Sequence, residues 1–191
     1  MAILYKLSTN NPVTHFAEIE MQISGLDSEE VFFQLPAWRP GRYELGNFAR
    51  NIRSWKAYNQ SGQILASTKV TKDRWKISSE GSSSIVIRYE YYCAQPDAGA
   101  CWIDEDQVYI NPVHCFGFIP EKIHEECIVE LNLPKSYIVA SSLQKVNEHT
   151  LVAADYEDLA DSPFIASPTI QHRTYEAGGT TLHLAARRCA S

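Results

Sequence analysis

His124-Glu125-Glu126 begins like the H-E-x-x-H motif, in which two histidines four residues apart on one helix face share a zinc ion. The motif is not completed, because residue 128 is Ile and the surrounding segment reads as a strand. On a strand, residues four apart are separated by about 13 Å of backbone rise, too far to chelate one ion. His114, Cys115, His124 and Cys127 also supply zinc-ligand types, yet their spacing fits no common structural site. Cys115 and Cys127 read instead as small core hydrophobes. No metal site is expected in this chain.

Nucleophilic chemistry needs a Cys or Ser beside a His and an orienting acid. Cys101, His114 and Asp104 offer the types without a nucleophile elbow or a helix N-terminus to activate the thiol, so Cys101 reads as an ordinary loop thiol. No catalytic residue is assigned. Asp104-Glu105-Asp106 reads as a solvated turn rather than a cation site. Of the four tryptophans, Trp55 and Trp75 are expected in the core. Trp38 and Trp102 sit beside turn signals and are candidates for an interface or for stacking on a ligand.

The elements that position these residues are strands. Ala17, Ile19, Met21 and Ile23 alternate with Glu18, Glu20 and Gln22, which is the pattern of a half-buried strand. The same alternation runs through residues 84–93 and 127–133. Further strands are expected at 3–8, 30–35, 51–58, 73–79, 106–111, 136–141, 149–153, 164–174 and 180–186. Only Ala154–Ala160 reads as helical, stopped at Asp161-Ser162-Pro163 because proline cannot continue a helix. The expectation is all-β: an antiparallel β-sandwich with at most one short helix, residues 1–191 forming a single domain. A strand signal at 180–186, so close to Ser191, suggests that the natural polypeptide continued as part of a longer protein or that its gene is truncated.

Composition narrows the classes. The 191 residues are 45% hydrophobic, enough for a proper core, and carry a net charge of −6. That balance argues against a nucleic-acid partner, which needs a concentrated cationic face. No apolar run is long enough for a membrane helix. Five cysteines with no C-x-x-C spacing, and no positively charged leader, point to reduced thiols and a cytoplasmic location.

The densest segment is LPAWRPGRYELGNFARNI, residues 35–52. Pro40-Gly41 suits a type II turn, Pro presetting φ at the first central position and Gly accepting φ > 0 at the second. Around it stand Trp38, Arg39, Arg42 and Tyr43. Arg50 lies between Phe48-Ala49 and Ile52, so a buried, structural ion pair is expected for it, with Asp161 as a candidate partner.

This segment resembles the LP.W.PG.Y....FARN signature of the N-terminal domain of glycyl aminopeptidase-type zinc metallopeptidases. The likeness continues through Trp55, the Trp75 of KDRWKI, SIVIRYEYY, VYINPVHCFGFIP and YEDLADSPFIAS, and so covers nearly the whole chain. It departs at Leu45-Gly46-Asn47, where many relatives read Ile-Arg-Glu. The resemblance implies a non-catalytic β domain that packs on a zinc-bearing catalytic domain and shapes its substrate cleft. Its parent would be an aminopeptidase whose zinc, and whose contact with peptide substrate, lie in that other domain. The loop Asn111–Gly117, with Asn111, His114 and Phe116, is the candidate to reach the cleft, beside Trp38, Arg42, Tyr43 and Trp102. The rival expectation is a free-standing carbohydrate-binding or protein-interaction sandwich, with Trp38 and Trp102 coplanar and facing solvent.

Overall fold

The computed structural model describes residues 2–39, 41–42, 44–97 and 99–187; Pro40 and Tyr43, two of the site candidates, lie outside the described residues. In chain order the strands are β1 (Ile3–Ser8), β2 (Phe16–Ser24), β3 (Glu30–Gln34), β4 (Ile52–Asn59), β5 (Ser67–Lys69), β6 (Arg74–Ser78), β7 (Ser84–Tyr92) and β8 (Trp102–Ile103). There follow β9 (Val108–Ile110), β10 (Cys127–Asn132), β11 (Ile138–Ser141), β12 (Gln144–Asn147), β13 (Thr150–Ala153), β14 (Phe164–Ser167), β15 (Ile170–Ala177) and β16 (Thr180–Arg187). Two short helices interrupt them, α1 (Pro112–Cys115) and α2 (Tyr156–Ala160).

A seven-stranded sheet of order β12-β13-β10-β1-β2-β7-β4 forms one layer. Alternation decides its faces: Ile3, Tyr5 and Leu7, then Ala17, Ile19, Met21 and Ile23, then Ile85, Ile87, Tyr89 and Tyr91 all point inward and are buried. The outward residues knit the other face with ion pairs, Glu20 to Lys6 and Arg88, and Glu90 to Arg53. Opposite the inner face lie the smaller sheets β3-β6-β5 and β11-β14-β9-β8, which contribute Phe33, Trp75, Ile110 and Phe164 to one continuous core. This is the all-β sandwich that the alternation requires.

Four features differ from the sequence reading. β1 pairs with β10 in parallel, Ile3 opposite Cys127, so the large sheet is not antiparallel throughout. A second helix, α1, forms where an Asn-Pro turn was expected. Its proline stands at the first helical position, where the missing N–H costs nothing. Residues 164–174 are not one strand, because Pro168-Thr169 turn the chain between β14 and β15. His124 lies in a turn after a short 3-10 segment at Pro120–Lys122, and the strand begins only at Cys127.

β15 and β16 form a separate two-stranded ribbon that meets the sandwich beside β11 and whose side chains are mostly exposed. At the opposite extreme, Phe33, Trp55 and Trp75 form a ring cluster, the two indoles stacked with centroids 5.4 Å apart. An irregularity in β4 between Arg53 and Lys56, with Ser54 at φ 57°, accommodates Trp55 in that cluster.

Candidate functional site

A groove of about 630 Å³ opens between the loop after β3, α1 and α2. Pro36, Trp38 and Arg39 line one side, Asn111 and Val113 another, and Tyr156, Ala160, Asp161 and Pro163 the third. Three of the candidates named from sequence, Trp38, Asn111 and Asp161, therefore share one cavity, although more than 120 residues separate the first from the last.

The α1 wall is fixed by phenols from three directions. In so short a helix only the first carbonyl finds a helical partner, Pro112 O accepting from Phe116 N at 2.9 Å, and the chain that follows is buried, so its carbonyls need partners from elsewhere. Tyr89 of β7 donates to Cys115 O at 2.7 Å, Tyr156 of α2 donates to Phe116 O at 2.7 Å, and Tyr5 of β1 donates to Gly117 O at 2.8 Å. The Gly117 N–H in turn donates to the Tyr89 hydroxyl at 3.3 Å. Burial holds all three phenols well above their ordinary titration range, so they remain donors. Gly117 is required by space: a Cβ there would lie 2.1 Å from the Phe33 ring. The α2 wall is capped by Asp155, whose carboxylate accepts from Asp158 N at 2.8 Å.

Next to the groove is a smaller, polar cavity of about 270 Å³, lined by Arg39, Arg42, Arg50, Gln95 and His114. Arg39 borders both cavities. Gly41 has φ 81° and Arg42 N donates to Arg39 O at 3.3 Å, closing the turn that presents these guanidinium groups. His114 stacks on Phe48 with ring centroids 3.9 Å apart, and its Nε2 is buried without a hydrogen-bond partner. Burial, reinforced by Arg39 and Arg42, pushes the His114 imidazole below its ordinary range and keeps it neutral.

Several expectations are corrected at this level. Arg50 is exposed and, among the described residues, no ion pair joins it to Asp161; the apolar neighbours in its sequence turn inward while its own side chain turns out. Phe116 is fully buried against Tyr5, so it cannot touch a neighbouring domain; it anchors the loop instead. Trp102 is half-buried, tilted on His15, and spends its indole N–H on Asp104 Oδ2 at 2.7 Å. It is no solvent-facing platform, whereas Trp38 is 51% exposed. Cys101 is a core thiol, 2% exposed, not a loop thiol. Asp104 closes a turn with bonds from Asp106 N and Gln107 N; these bonds and the Trp102 N–H outweigh burial and hold its carboxyl below the usual range.

Among the described residues no group of three or more His, Cys, Asp or Glu side chains is arranged to hold a metal ion. The residues do not fit a peptidase zinc centre: His124 lies in the turn and Ile128 in β10. Cys115 and Cys127 are fully buried in the core. No described helix is long and apolar enough to cross a membrane.

The role of the tyrosines as loop anchors was missed from sequence. Alternation put Tyr89 on the apolar face of its strand and left Tyr5 in an expected strand at 3–8 with no face assigned; nothing in the pattern says which carbonyl a buried phenol will meet.

Comparison with known proteins agrees with this architecture. The search of curated proteins gives no match. Among solved structures, an aminopeptidase N family protein from Idiomarina loihiensis superposes with a TM-score of 0.88 at 20% identity. The match covers 98% of this chain and 32% of that one. An M1 zinc metallopeptidase variant from Deinococcus radiodurans superposes with a TM-score of 0.51 at 12% identity, over 97% of this chain and 46% of that one. At these identities the likeness is one of fold, and this chain spans less than half the length of either. The family model described as the Peptidase M61 N-terminal domain matches residues 4–168, from β1 to just beyond β14. That match takes in the groove, the tyrosine-anchored loop and both helices, and the chain belongs to the Peptidase M61 N-terminal domain family.

Proposed function

We propose that this chain is the non-catalytic β domain of a glycyl aminopeptidase-like metallopeptidase. In this reading it packs on a zinc-bearing catalytic domain of the same parent protein and shapes the cleft that admits peptide substrate. Zinc and the hydrolytic chemistry belong to that other domain, and the parent works in the cytoplasm. The four described cysteines, all buried and unpaired, accord with a reducing compartment.

One observation carries the reading. The groove beneath Trp38 is concave, its α1 wall is pinned by buried hydrogen bonds, and large apolar side chains stand exposed beside the two cavities, Trp38 at 51% and Leu45 at 81%. A rigid concave wall with an exposed Trp at its lip suits a fixed contact with a partner domain. The outer face of the large sheet, laced with its own ion pairs, suits solvent. Relatives of similar fold described as an aminopeptidase N family protein and an M1 zinc metallopeptidase support the choice of parent.

The test begins with the gene downstream of Ser191, read for an in-frame H-E-x-x-H. The encoded segment is then co-expressed with this chain and assayed on glycyl-p-nitroanilide. Activity sensitive to a chelator is expected from the pair and absent from the 191-residue chain alone. Trp38→Ala and Leu45→Ala, at the two exposed apolar side chains, are expected to weaken association of the two parts at least tenfold. Chelator-sensitive turnover by this chain alone, or association indifferent to both substitutions, would overturn the reading.

A further inference from the structure

The β15–β16 ribbon carries two histidines that the groove does not use. His183 pairs across the ribbon with Thr174, and His172 stands two residues before Thr174, so the two imidazoles form a diagonal pair on one face. His172 Nε2 and His183 Nδ1 are 3.2 Å apart, while the ring centroids are 5.2 Å apart with planes inclined by 17°. The rings are nearly parallel, and the two nitrogens share a hydrogen bond, one ring N–H donating to the lone pair of the other ring.

We propose that His172 and His183 form a two-imidazole chelate for a divalent first-row transition ion of the zinc, nickel or copper class. An ion holding each nitrogen at about 2.0–2.1 Å spans this separation with a bite angle of about 100°, between the octahedral and tetrahedral values. The register supplies the preorganisation. The histidines stand on opposite strands of an eight-pair ladder, so their backbones are already fixed and only ring rotation accompanies binding. The side chains are exposed, leaving the remaining coordination positions to water. Glu176 lies on the same face further along the ribbon, but its carboxylate accepts from Thr181 Oγ1 at 2.6 Å and does not join the histidines as a third ligand. The cavity of about 790 Å³ that both histidines line also holds Ser141, Ser142 and Lys145, whose ammonium donates to Val139 O at 2.7 Å, and no carboxylate. The site therefore owes its selectivity to the imidazoles, which favour transition ions over calcium or magnesium.

The probe is nickel chloride titrated calorimetrically into the full chain carrying Cys189→Ser, which removes the one cysteine outside the described core. One ion per chain is expected. His172→Ala and His183→Ala should each weaken binding at least tenfold. The double replacement should be little worse than either single one, because a chelate is lost with its first ligand. His124→Ala, an exposed histidine elsewhere, should leave affinity within twofold. Binding should weaken as pH is lowered, since protons compete for the ring nitrogens. His172→Gln, with its far-UV circular dichroism recorded, separates lost ligation from lost structure. In nuclear magnetic resonance spectra, the ring signals of residues 172 and 183 should broaden first. Absence of saturable binding, affinity retained without either imidazole, or first broadening at another histidine would overturn the proposal.

Discussion

The hydroxyl of Tyr89, on the inner face of the large sheet, stands 2.7 Å from the carbonyl oxygen of Cys115 and also accepts the Gly117 N–H, bracketing the buried Phe116. One side chain thereby ties the sheet to the loop that walls the groove. Removing that hydroxyl leaves a buried carbonyl and a buried N–H without partners, a loss of about 1–3 kcal/mol. Tyr89→Phe is expected to lower the urea midpoint with an unchanged slope. Tyr92→Phe, at a side chain 43% exposed on the other face of the same strand, should change stability by less than about 0.5 kcal/mol. Equal midpoints for the two variants would contradict the anchoring role.

Gly117→Ala probes the same loop by volume. The added methyl would meet the Phe33 ring at 2.1 Å, and that ring is held by Trp55, Trp75 and Tyr89 around it. A backbone shift must follow, costing about 1–3 kcal/mol. Thermal unfolding should show the loss, and Phe33→Leu in the Gly117→Ala background should recover part of it. If the substitution were neutral, the loop would have to be looser than the phenol bonds imply.

His114 makes stability depend on pH. Its folded imidazole titrates below the unfolded one, so across the window between them the unfolded chain binds more protons and stability rises with pH. The contribution is complete above the unfolded value of about 6.5 and is lost as pH falls below it. Unfolding free energy measured from pH 7.5 to 5 should therefore decline, and His114→Gln should flatten that decline. An identical slope in the variant would assign the effect to other groups.

Arg50 tests the correction to the sequence reading. An exposed guanidinium without a buried carboxylate partner contributes little, so Arg50→Ala should alter stability by less than about 0.5 kcal/mol. A loss of about 3 kcal/mol or more, the cost of breaking a buried pair, would restore the original expectation.

Alternation by itself determined the sandwich. Ile85, Ile87, Tyr89 and Tyr91 recur every second residue, and a strand has no other way to bury them together. The need for glycine at position 41 was likewise legible, because few residues other than glycine take φ 81° without strain. Position in the sequence did not reveal that Arg50 turns outward while Phe48 and Ala49 turn in, since a four-residue 3-10 turn sets that direction and has no period to read. Nor did it reveal the short helix at Pro112–Cys115, too brief for helical spacing to register. Tertiary structure alone brought Trp38, Asn111 and Asp161 to one groove, aimed three phenols at successive carbonyls, and set His172 against His183 across a ribbon. Local sequence fixes which face of a strand is apolar, because that depends on neighbours two residues away. Which distant backbone groups a buried polar atom meets depends on how sheets stack and register, and those choices are made by the whole core at once.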